Sequence, residues 1–230
     1  MKIGGFQKTS LLDYPKKIST IIWTVGCNFR CPFCYNKDIV QGNVELVPEE
    51  EIFDYLKKRK EMIEALVITG GEPLMHKDIS DFCKKVKQLG YLIKIDTNGT
   101  FPDRLKQLID EKLVDYIAMD VKAPQAKYDT LTGVKTPIKK IKRSINIIKK
   151  SNVDYEFRTT FISKYLNEKD IIEVAKWLEG ANSYFIQQFK NNVPMISKEL
   201  EFVKPYNKEE IINLIGKIKP YFQKCSARGV

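Results

Sequence analysis

The strongest constraint on the fold is a sixfold alternation of β-rich runs and amphipathic segments. The runs are short and rich in β-branched and aromatic residues, whereas the segments repeat apolar residues at helical spacing. The predicted strands cover residues 18–25, 65–70, 91–97, 115–122, 153–161 and 183–189. The predicted helices cover residues 48–62, 77–89, 102–112, 137–150, 168–179 and 207–219. This alternation predicts an α/β fold with a parallel sheet, either open or curved toward a barrel.

The chain of 230 residues contains no linker, low-complexity tract or internal repeat, which predicts a single domain over residues 1–230. No run approaches the ~20 apolar residues of a membrane span. The N-terminus lacks the apolar core of a signal peptide. We therefore expect a cytoplasmic protein without a membrane partner. Asn207, followed three residues later by Glu210, predicts a capping box at the start of the last helix.

The chain carries 39 basic and 29 acidic residues, a net charge of +10. The basic residues are spread out, with one local concentration at residues 137–150. Isoleucines there recur at spacings of three and four, so the lysines are expected on the opposite, solvated face. This pattern favours an ordinary solvated helix over a nucleic-acid site, and nucleic acid is not expected as a partner.

Polar residues recur near the carboxyl ends of three predicted strands. Asp96 lies in the third, Asp120 and Lys122 in the fourth, and Arg158 in the fifth, with Glu156 and Thr160. Residues two apart in a strand share a face, so each strand directs its polar residues to one side. Inward charges are costly unless they are paired or used, and α/β folds bind ligands at this end. The pattern favours a binding site, with structural ion pairs as the alternative.

Three of the five cysteines, Cys27, Cys31 and Cys34, follow the first predicted strand with the spacing C-x3-C-x2-C. In a reducing compartment such a group more often binds metal than forms disulfides. Iron–sulfur clusters are usually held by four thiolates, so a set of three leaves one iron open to an outside ligand. Three protein ligands with one open position are typical of catalytic rather than structural metal sites.

A structural zinc site is the rival interpretation, with His76, the only histidine, as its fourth ligand. Structural zinc loops usually combine a C-x2-C pair with a second ligand pair on a distant segment, and the sequence has no such second pair. We therefore interpret His76 as an ordinary surface residue. Cys83 falls on the apolar face of a predicted helix and is expected in the core, while Cys225 stays unassigned.

Two motifs carry a family resemblance. "CNFRCPFC" at residues 27–34 fits the C-x3-C-x-aromatic-C signature of the radical S-adenosylmethionine superfamily, with Phe33 as the aromatic residue. "TGGEPL" at residues 69–74, after the second predicted strand, resembles the Gly-Gly-Glu-Pro motif of that superfamily. The resemblance implies a partial (β/α)6 parallel barrel. It also implies a 4Fe–4S cluster on Cys27, Cys31 and Cys34, whose open iron binds S-adenosylmethionine, so that the cofactor supplies the missing ligand.

The resemblance assigns further residues to the cofactor. Phe33 would lie near the adenine, and Gly70, Gly71 and Glu72 would receive the methionine amino group. The segment at Asp96 and Thr97 and the segment at Asp120 would help to hold a monovalent cation beside the cofactor carboxylate. The remaining residues that the resemblance implies as cofactor contacts are Lys122, Arg158 and Gln187.

Longer segments resemble the glycyl-radical-enzyme activating proteins, in particular the anaerobic ribonucleoside-triphosphate reductase activating group. They are "TSLLDYPKKISTIIWTVGCNFRCPFCYN" (9–36), "DTNGT" (96–100) and "YIAMDVKAP" (116–124). The resemblance implies a radical oxidoreductase that cleaves S-adenosylmethionine reductively to a 5′-deoxyadenosyl radical. That radical would abstract hydrogen from a glycine of an anaerobic ribonucleotide reductase. Electrons would come from flavodoxin or ferredoxin, because two leftover cysteines cannot hold a second cluster.

The chain departs from the usual pattern of these activating proteins at two positions. Tyr35 stands where many of them have histidine, and Lys16 replaces the usual glycine after Pro15. Two other functions stay open. One is a radical enzyme acting on a small molecule or another peptide, since one fold supports many reactions. The other is a zinc-stabilised basic binding module without catalysis.

Overall fold

Eight β-strands form one sheet whose spatial order follows the sequence from the first strand to the last. A computed structural model describes the whole chain, Met1–Val230. The first two strands are antiparallel, and the second, third and fourth pair in parallel, as do the sixth, seventh and eighth. The strands are Ile3–Ser10 (β1), Ser19–Thr24 (β2), Ala65–Gly70 (β3), Leu92–Thr97 (β4), Tyr116–Asp120 (β5), Asp154–Phe161 (β6), Ser183–Gln188 (β7) and Lys224–Arg228 (β8).

Eight α-helices lie between these strands along the chain, two of them between β2 and β3 and two between β5 and β6. They are Lys37–Gln41 (α1), Glu49–Lys58 (α2), Ile79–Gln88 (α3), Pro102–Asp110 (α4), Tyr128–Thr132 (α5), Ile138–Lys150 (α6), Glu168–Trp177 (α7) and Lys208–Ile218 (α8). The predicted capping box of α8 is present: the Asn207 side chain accepts from Glu210 N at 2.9 Å, and the Glu210 carboxylate accepts from Asn207 N. Helix α6 buries Ile141, Ile145 and Ile148 while most of its lysines are exposed, as the spacing predicts.

The six predicted strands correspond to β2–β7, but β1 and β8 were not predicted. Both lie at the ends of the strand order, and both leave much of their side-chain surface exposed. Gly4 and Gly5 are the second and third residues of β1, and glycine has a low strand propensity. Cys225, which the sequence left unassigned, is a buried residue of β8.

The chain divides into two compact units. The first consists of Met1–Asn28, Asn36–Ala118 and Ser151–Asp154, and the second of Phe29–Tyr35, Met119–Lys150 and Tyr155–Val230. The first unit contains an apolar cluster of Tyr14, Ile21, Ala65 and Val67, against which Leu92 packs. The largest fully buried side chains of the second are Tyr128, Tyr184, Phe157, Phe161 and Phe189. The single-domain organisation stays a prediction. No helix combines the length and the apolar character needed to cross a bilayer.

Candidate functional site

The loop after β3 is bonded through its backbone to the loop that begins the cysteine motif. Gly71 N donates to Thr24 O at 2.8 Å, and Glu72 N donates to Gly26 O at 2.9 Å. A Cβ atom on Gly71 would lie 1.8 Å from Gly26 O. Gly70 has φ +114°, and a Cβ atom there would lie 2.5 Å from Thr24 N. The two glycines therefore allow the two motif loops to touch, which no larger residue would permit.

The Glu72 side chain is fully buried, with 0% of its surface exposed. One carboxylate oxygen accepts from Thr97 Oγ1 at 2.7 Å and from Leu74 N at 3.1 Å. The other accepts from Asn98 N at 2.7 Å. Hydrogen bonds to a carboxylate are stronger than those between neutral groups, so Glu72 fixes the "TGGEPL" loop to the "DTNGT" loop. The glutamate of the motif thus has a positioning role that the sequence did not indicate.

The side chain of Asn98 reaches the first cysteine of the motif. Asn98 Nδ2 lies 3.8 Å from Cys27 Sγ and donates to Asn28 Oδ1 at 2.9 Å. Asn98 Oδ1 in turn accepts from the hydroxyl of Thr100 at 2.6 Å. An amide N–H therefore points at a sulfur that the sequence assigns to an iron–sulfur cluster.

In the second unit, the stretch that carries Cys31 and Cys34 is held by hydrogen bonds to its backbone and to Tyr35. Cys34 N donates to Cys31 O at 3.0 Å. The Tyr35 hydroxyl accepts from Lys190 N at 2.8 Å and donates to Lys190 O at 3.1 Å, so this departure from the usual histidine ties the stretch to the segment after β7. Two further backbone bonds, Arg30 N to Thr132 O and Ser197 N to Pro32 O, are each 2.8 Å long.

Burial raises the pKa of the Cys31 thiol to about 11, although the nearby Lys122 ammonium acts to lower it. The side chain of Phe33, between the second and third cysteines, is also buried. Lys122 Nζ lies 5.8 Å from the centre of the Phe33 ring, within the range of a cation–π interaction. Two residues that the resemblance assigns to the cofactor are therefore neighbours in the second unit.

A charged group forms at the carboxyl ends of β5 and β6. Asp120 accepts from Lys122 Nζ at 2.8 Å and from Arg158 Nε at 2.9 Å. Burial by itself would raise the pKa of Asp120, but the two cations lower it well below its usual range. Burial would likewise lower the pKa of Lys122, but Asp120 and the other groups around it raise it above the ordinary value. All three groups are therefore charged at neutral pH.

The charged group continues to β8. Arg228 forms a two-pronged ion pair with the Glu156 carboxylate, at 2.6 and 2.7 Å, and lies 3.8 Å from the centre of the Phe185 ring. Arg158 NH1 lies 4.0 Å from Glu156. Three cations and two carboxylates thus leave a surplus of one positive charge, which suits an anionic ligand. Arg228 was not predicted, because β8 itself was not.

Gln187 lies at the carboxyl end of β7 and is half-buried. It pairs in register with Thr160 of β6 on one side and with Arg228 of β8 on the other. The residue therefore belongs to the same strand ends as the charged group. Its neighbour Gln188 is directed elsewhere, because Gln188 Nε2 donates to Tyr206 O at 2.8 Å.

Asp96, in the first unit, is bonded to a buried lysine that the sequence did not single out. Lys94 Nζ lies 2.7 Å from Asp96 Oδ1, and Thr69 Oγ1 donates to Asp96 Oδ2 at 3.2 Å. Only 4% of the Lys94 side chain is exposed. The signal was present in the sequence, since Lys94 precedes Asp96 by two positions in a strand and so shares its face.

His76 is half-buried rather than a surface residue. Its Nε2 atom lies 3.1 Å from Val25 O, which ties the "TGGEPL" segment to the residue before Gly26. Burial lowers the pKa of His76 below its ordinary value. No three His, Cys, Asp or Glu side chains converge as ligands of one metal ion would. The ring of His76 is thus engaged by the backbone.

The residues suit the two groups that the motifs imply. Three thiols in one short loop, one of them facing an amide donor, are the ligand type of an iron–sulfur cluster. In the second unit, the positive charge around Asp120 suits a ligand with a carboxylate, as an amino acid cofactor has.

Two comparisons with known proteins agree on one family. Residues 21–178 match the model described as the Radical SAM superfamily. A Methanocaldococcus jannaschii protein, provisionally named as a glycyl-radical enzyme activating enzyme, is 37% identical over 99% of this chain and 96% of its own length. A GTP 3′,8-cyclase of Aquifex aeolicus is 27% identical over 90% of this chain and 66% of its own.

Among solved structures, Streptococcus suis SuiB bound to S-adenosylmethionine superposes with a TM-score of 0.68 at 17% identity. The match covers 90% of this chain but only 49% of that structure, so the chain spans about half of its length. At this identity the likeness concerns the fold alone. It confirms the predicted α/β fold of the partial-barrel type.

Proposed function

The chain belongs to the radical S-adenosylmethionine superfamily, and on that basis we propose that it activates a glycyl radical enzyme, specifically an anaerobic ribonucleotide reductase. It is a radical enzyme whose cofactors are a 4Fe–4S cluster and S-adenosylmethionine. The observation that carries the proposal is the 37% identity to the named activating enzyme, which extends over 99% of this chain and 96% of the relative. A match of that extent supports a shared reaction more strongly than motifs alone.

Cys27, Cys31 and Cys34 are the proposed cluster ligands. When bound, the reduced cluster supplies the electron that cleaves S-adenosylmethionine to methionine and a 5′-deoxyadenosyl radical. The protein's part is to hold the thiols and to limit their freedom. Asn98 faces the sulfur of Cys27, and Tyr35 fixes the backbone beside Cys34. The hard chemistry belongs to the cofactors, and these residues orient and tune them.

The proposed contacts of S-adenosylmethionine follow from charge and shape. The loop at Gly70 and Gly71, held in place by Glu72, would receive the amino group. Lys122 and Arg158 belong to the group with surplus positive charge and would attract the carboxylate. The other residues proposed near the cofactor are Phe33, Asp96, Asp120 and Gln187.

The proposed reaction on the partner is a hydrogen transfer. A glycine Cα of the reductase would give up one hydrogen atom to the adenosyl radical that the bound cofactors would supply, and the glycyl radical would remain on the reductase. The electron that starts the reaction would come from flavodoxin or ferredoxin. Such carriers are typically acidic, so the net charge of +10 would favour their docking.

The test is to mix the anaerobically reconstituted protein with reductant, S-adenosylmethionine and the reductase, and to record EPR spectra. We expect a glycyl doublet that is absent when the radical-site glycine of the reductase is changed to alanine. Cys34→Ala should abolish both bound iron and the doublet. Cys225→Ala, which removes a thiol outside the motif, should retain both.

Cleavage of S-adenosylmethionine without a doublet would contradict the proposed partner. The similarity to a GTP 3′,8-cyclase supports a second candidate, a radical enzyme acting on a small molecule. In that case, 5′-deoxyadenosine formation should rise when the small-molecule substrate is added and should not respond to the reductase. The two candidates therefore differ in one assay.

A further inference from the structure

Lys94 is a buried cation in the interior of the first unit. Its register partner on β3 is Val67, a member of the apolar cluster of that unit, and Leu92 on its own strand packs against the same cluster. An ammonium in apolar surroundings is costly unless it is paired and hydrogen-bonded. The Asp96 carboxylate, 2.7 Å away, provides that pairing.

The pair changes what Asp96 can bind. Its two oxygens accept from Lys94 Nζ and from Thr69 Oγ1. A Na⁺ or K⁺ ion placed on this carboxylate would lie beside an ammonium that has already neutralised it. Like charges repel strongly where water is excluded, so the residues around Asp96 do not suit a further cation.

The same holds for the second carboxylate that the resemblance associates with a cation. Both oxygens of Asp120 are engaged, one by Lys122 Nζ and the other by Arg158 Nε. The surroundings of Asp120 already carry a surplus of positive charge. Each acidic group implied for a monovalent cation is thus neutralised by the chain's own side chains.

We propose that the Lys94 ammonium replaces the monovalent cation implied beside Asp96, so that this protein binds S-adenosylmethionine without Na⁺ or K⁺. The inference rests on the proposed cofactor site but not on the proposed protein partner. Lys94 is then a positioning residue that holds the Asp96 carboxylate in place. No ion has to be taken from solution when the cofactor binds.

The test measures S-adenosylmethionine binding to the reconstituted protein by calorimetry in three buffers. Their only cation is Na⁺, K⁺ or tetramethylammonium, which is too large to enter a carboxylate site. We expect the dissociation constant of the unmodified protein to agree within about twofold across the three buffers. Lys94→Met, which keeps the chain length and removes the charge, should bind about tenfold more weakly in tetramethylammonium and recover in K⁺ or Na⁺.

Lys87→Met is the matched control, because Lys87 pairs with Asp115 at a partly exposed position. It should behave like the unmodified protein in all three buffers. Binding by the unmodified protein that fails only in tetramethylammonium would overturn the inference while leaving the cofactor site standing. If the unmodified protein did not bind S-adenosylmethionine in any of the three buffers, both the cofactor site and the inference would be overturned. The buffer comparison needs no variant, so a poorly folded Lys94→Met protein would not prevent a decision.

Discussion

Asn98 Nδ2 lies 3.8 Å from the sulfur of Cys27, so an asparagine of the "DTNGT" loop directs an amide donor at a proposed cluster ligand. The amide is oriented by Asn28 and by the Thr100 hydroxyl. Hydrogen bonds to cluster sulfurs stabilise the extra negative charge of the reduced state and raise the reduction potential. The geometry therefore connects a loop residue to the electron transfer that starts the reaction.

Removing this donor should make the cluster harder to reduce. We expect Asn98→Ala to shift the midpoint potential to a more negative value, because the reduced cluster loses a hydrogen bond at Cys27. The potential is measured by redox titration of the EPR signal. Asn146→Ala on the exposed face of α6 is the control and should leave the potential unchanged. Equal potentials in the two variants would contradict a hydrogen bond from Asn98.

A single methyl group at Gly71 should disrupt the contact between the two motif loops. Its Cβ atom would lie 1.8 Å from Gly26 O, so the backbone must move. We expect Gly71→Ala to lower the free energy of unfolding by about 1–3 kcal/mol, as overpacking does, and to weaken S-adenosylmethionine binding. Urea unfolding and calorimetry measure the two effects.

Gly216→Ala is the matched control for that prediction. Gly216 lies in α8, and a Cβ atom there would meet nothing within 4 Å. Alanine favours a helix over glycine by roughly 0.8–1 kcal/mol, so this variant should be more stable than the unmodified protein. Destabilisation of similar size in both variants would refute the steric argument for Gly71.

The sequence predicted the central strands because burial on both faces leaves continuous apolar runs, as in "ALVITG" of β3. It did not predict β1 or β8, whose exposed residues lack that pattern. Lys94 and Glu72 show a second limit. The role of each depends on a partner that the fold brings close. The hydrogen bond between Glu72 and Thr97, for example, joins residues 25 positions apart. A motif indicates which chemistry is present, but not which member supports the others.

Glu72→Gln should destabilise the protein even though it preserves shape. The buried carboxylate accepts from Thr97 Oγ1, Leu74 N and Asn98 N, and an amide would turn one acceptor into a donor facing other donors. We expect a loss of about 1–3 kcal/mol in the free energy of unfolding, measured in urea. Glu199→Gln removes an exposed ion pair with Lys164 and should change stability by less than about 1 kcal/mol. Similar losses in both variants would show that the buried bonds contribute little.

The stability of the protein should depend on pH through its only histidine. Burial lowers the pKa of His76, although the Val25 carbonyl and Asp78 act to raise it. The folded protein therefore binds a proton on His76 less readily than the unfolded chain, in which the histidine pKa is about 6.5. The contribution to stability is complete above that value and is lost as the pH falls through the folded-state pKa.

His76→Gln places a neutral amide donor near Val25 O and removes the titration. Between about pH 7.5 and 5.5, we expect the unmodified protein to lose more of its free energy of unfolding than this variant does. Only the unmodified protein has a side chain at position 76 that is harder to protonate in the folded state than in the unfolded chain. Urea unfolding of both proteins across that range gives the comparison, and shared effects of the carboxylates cancel in the difference. Parallel losses would mean that the ring is protonated as easily in the folded protein as in the unfolded chain, and that its bond to Val25 O does not depend on the neutral form.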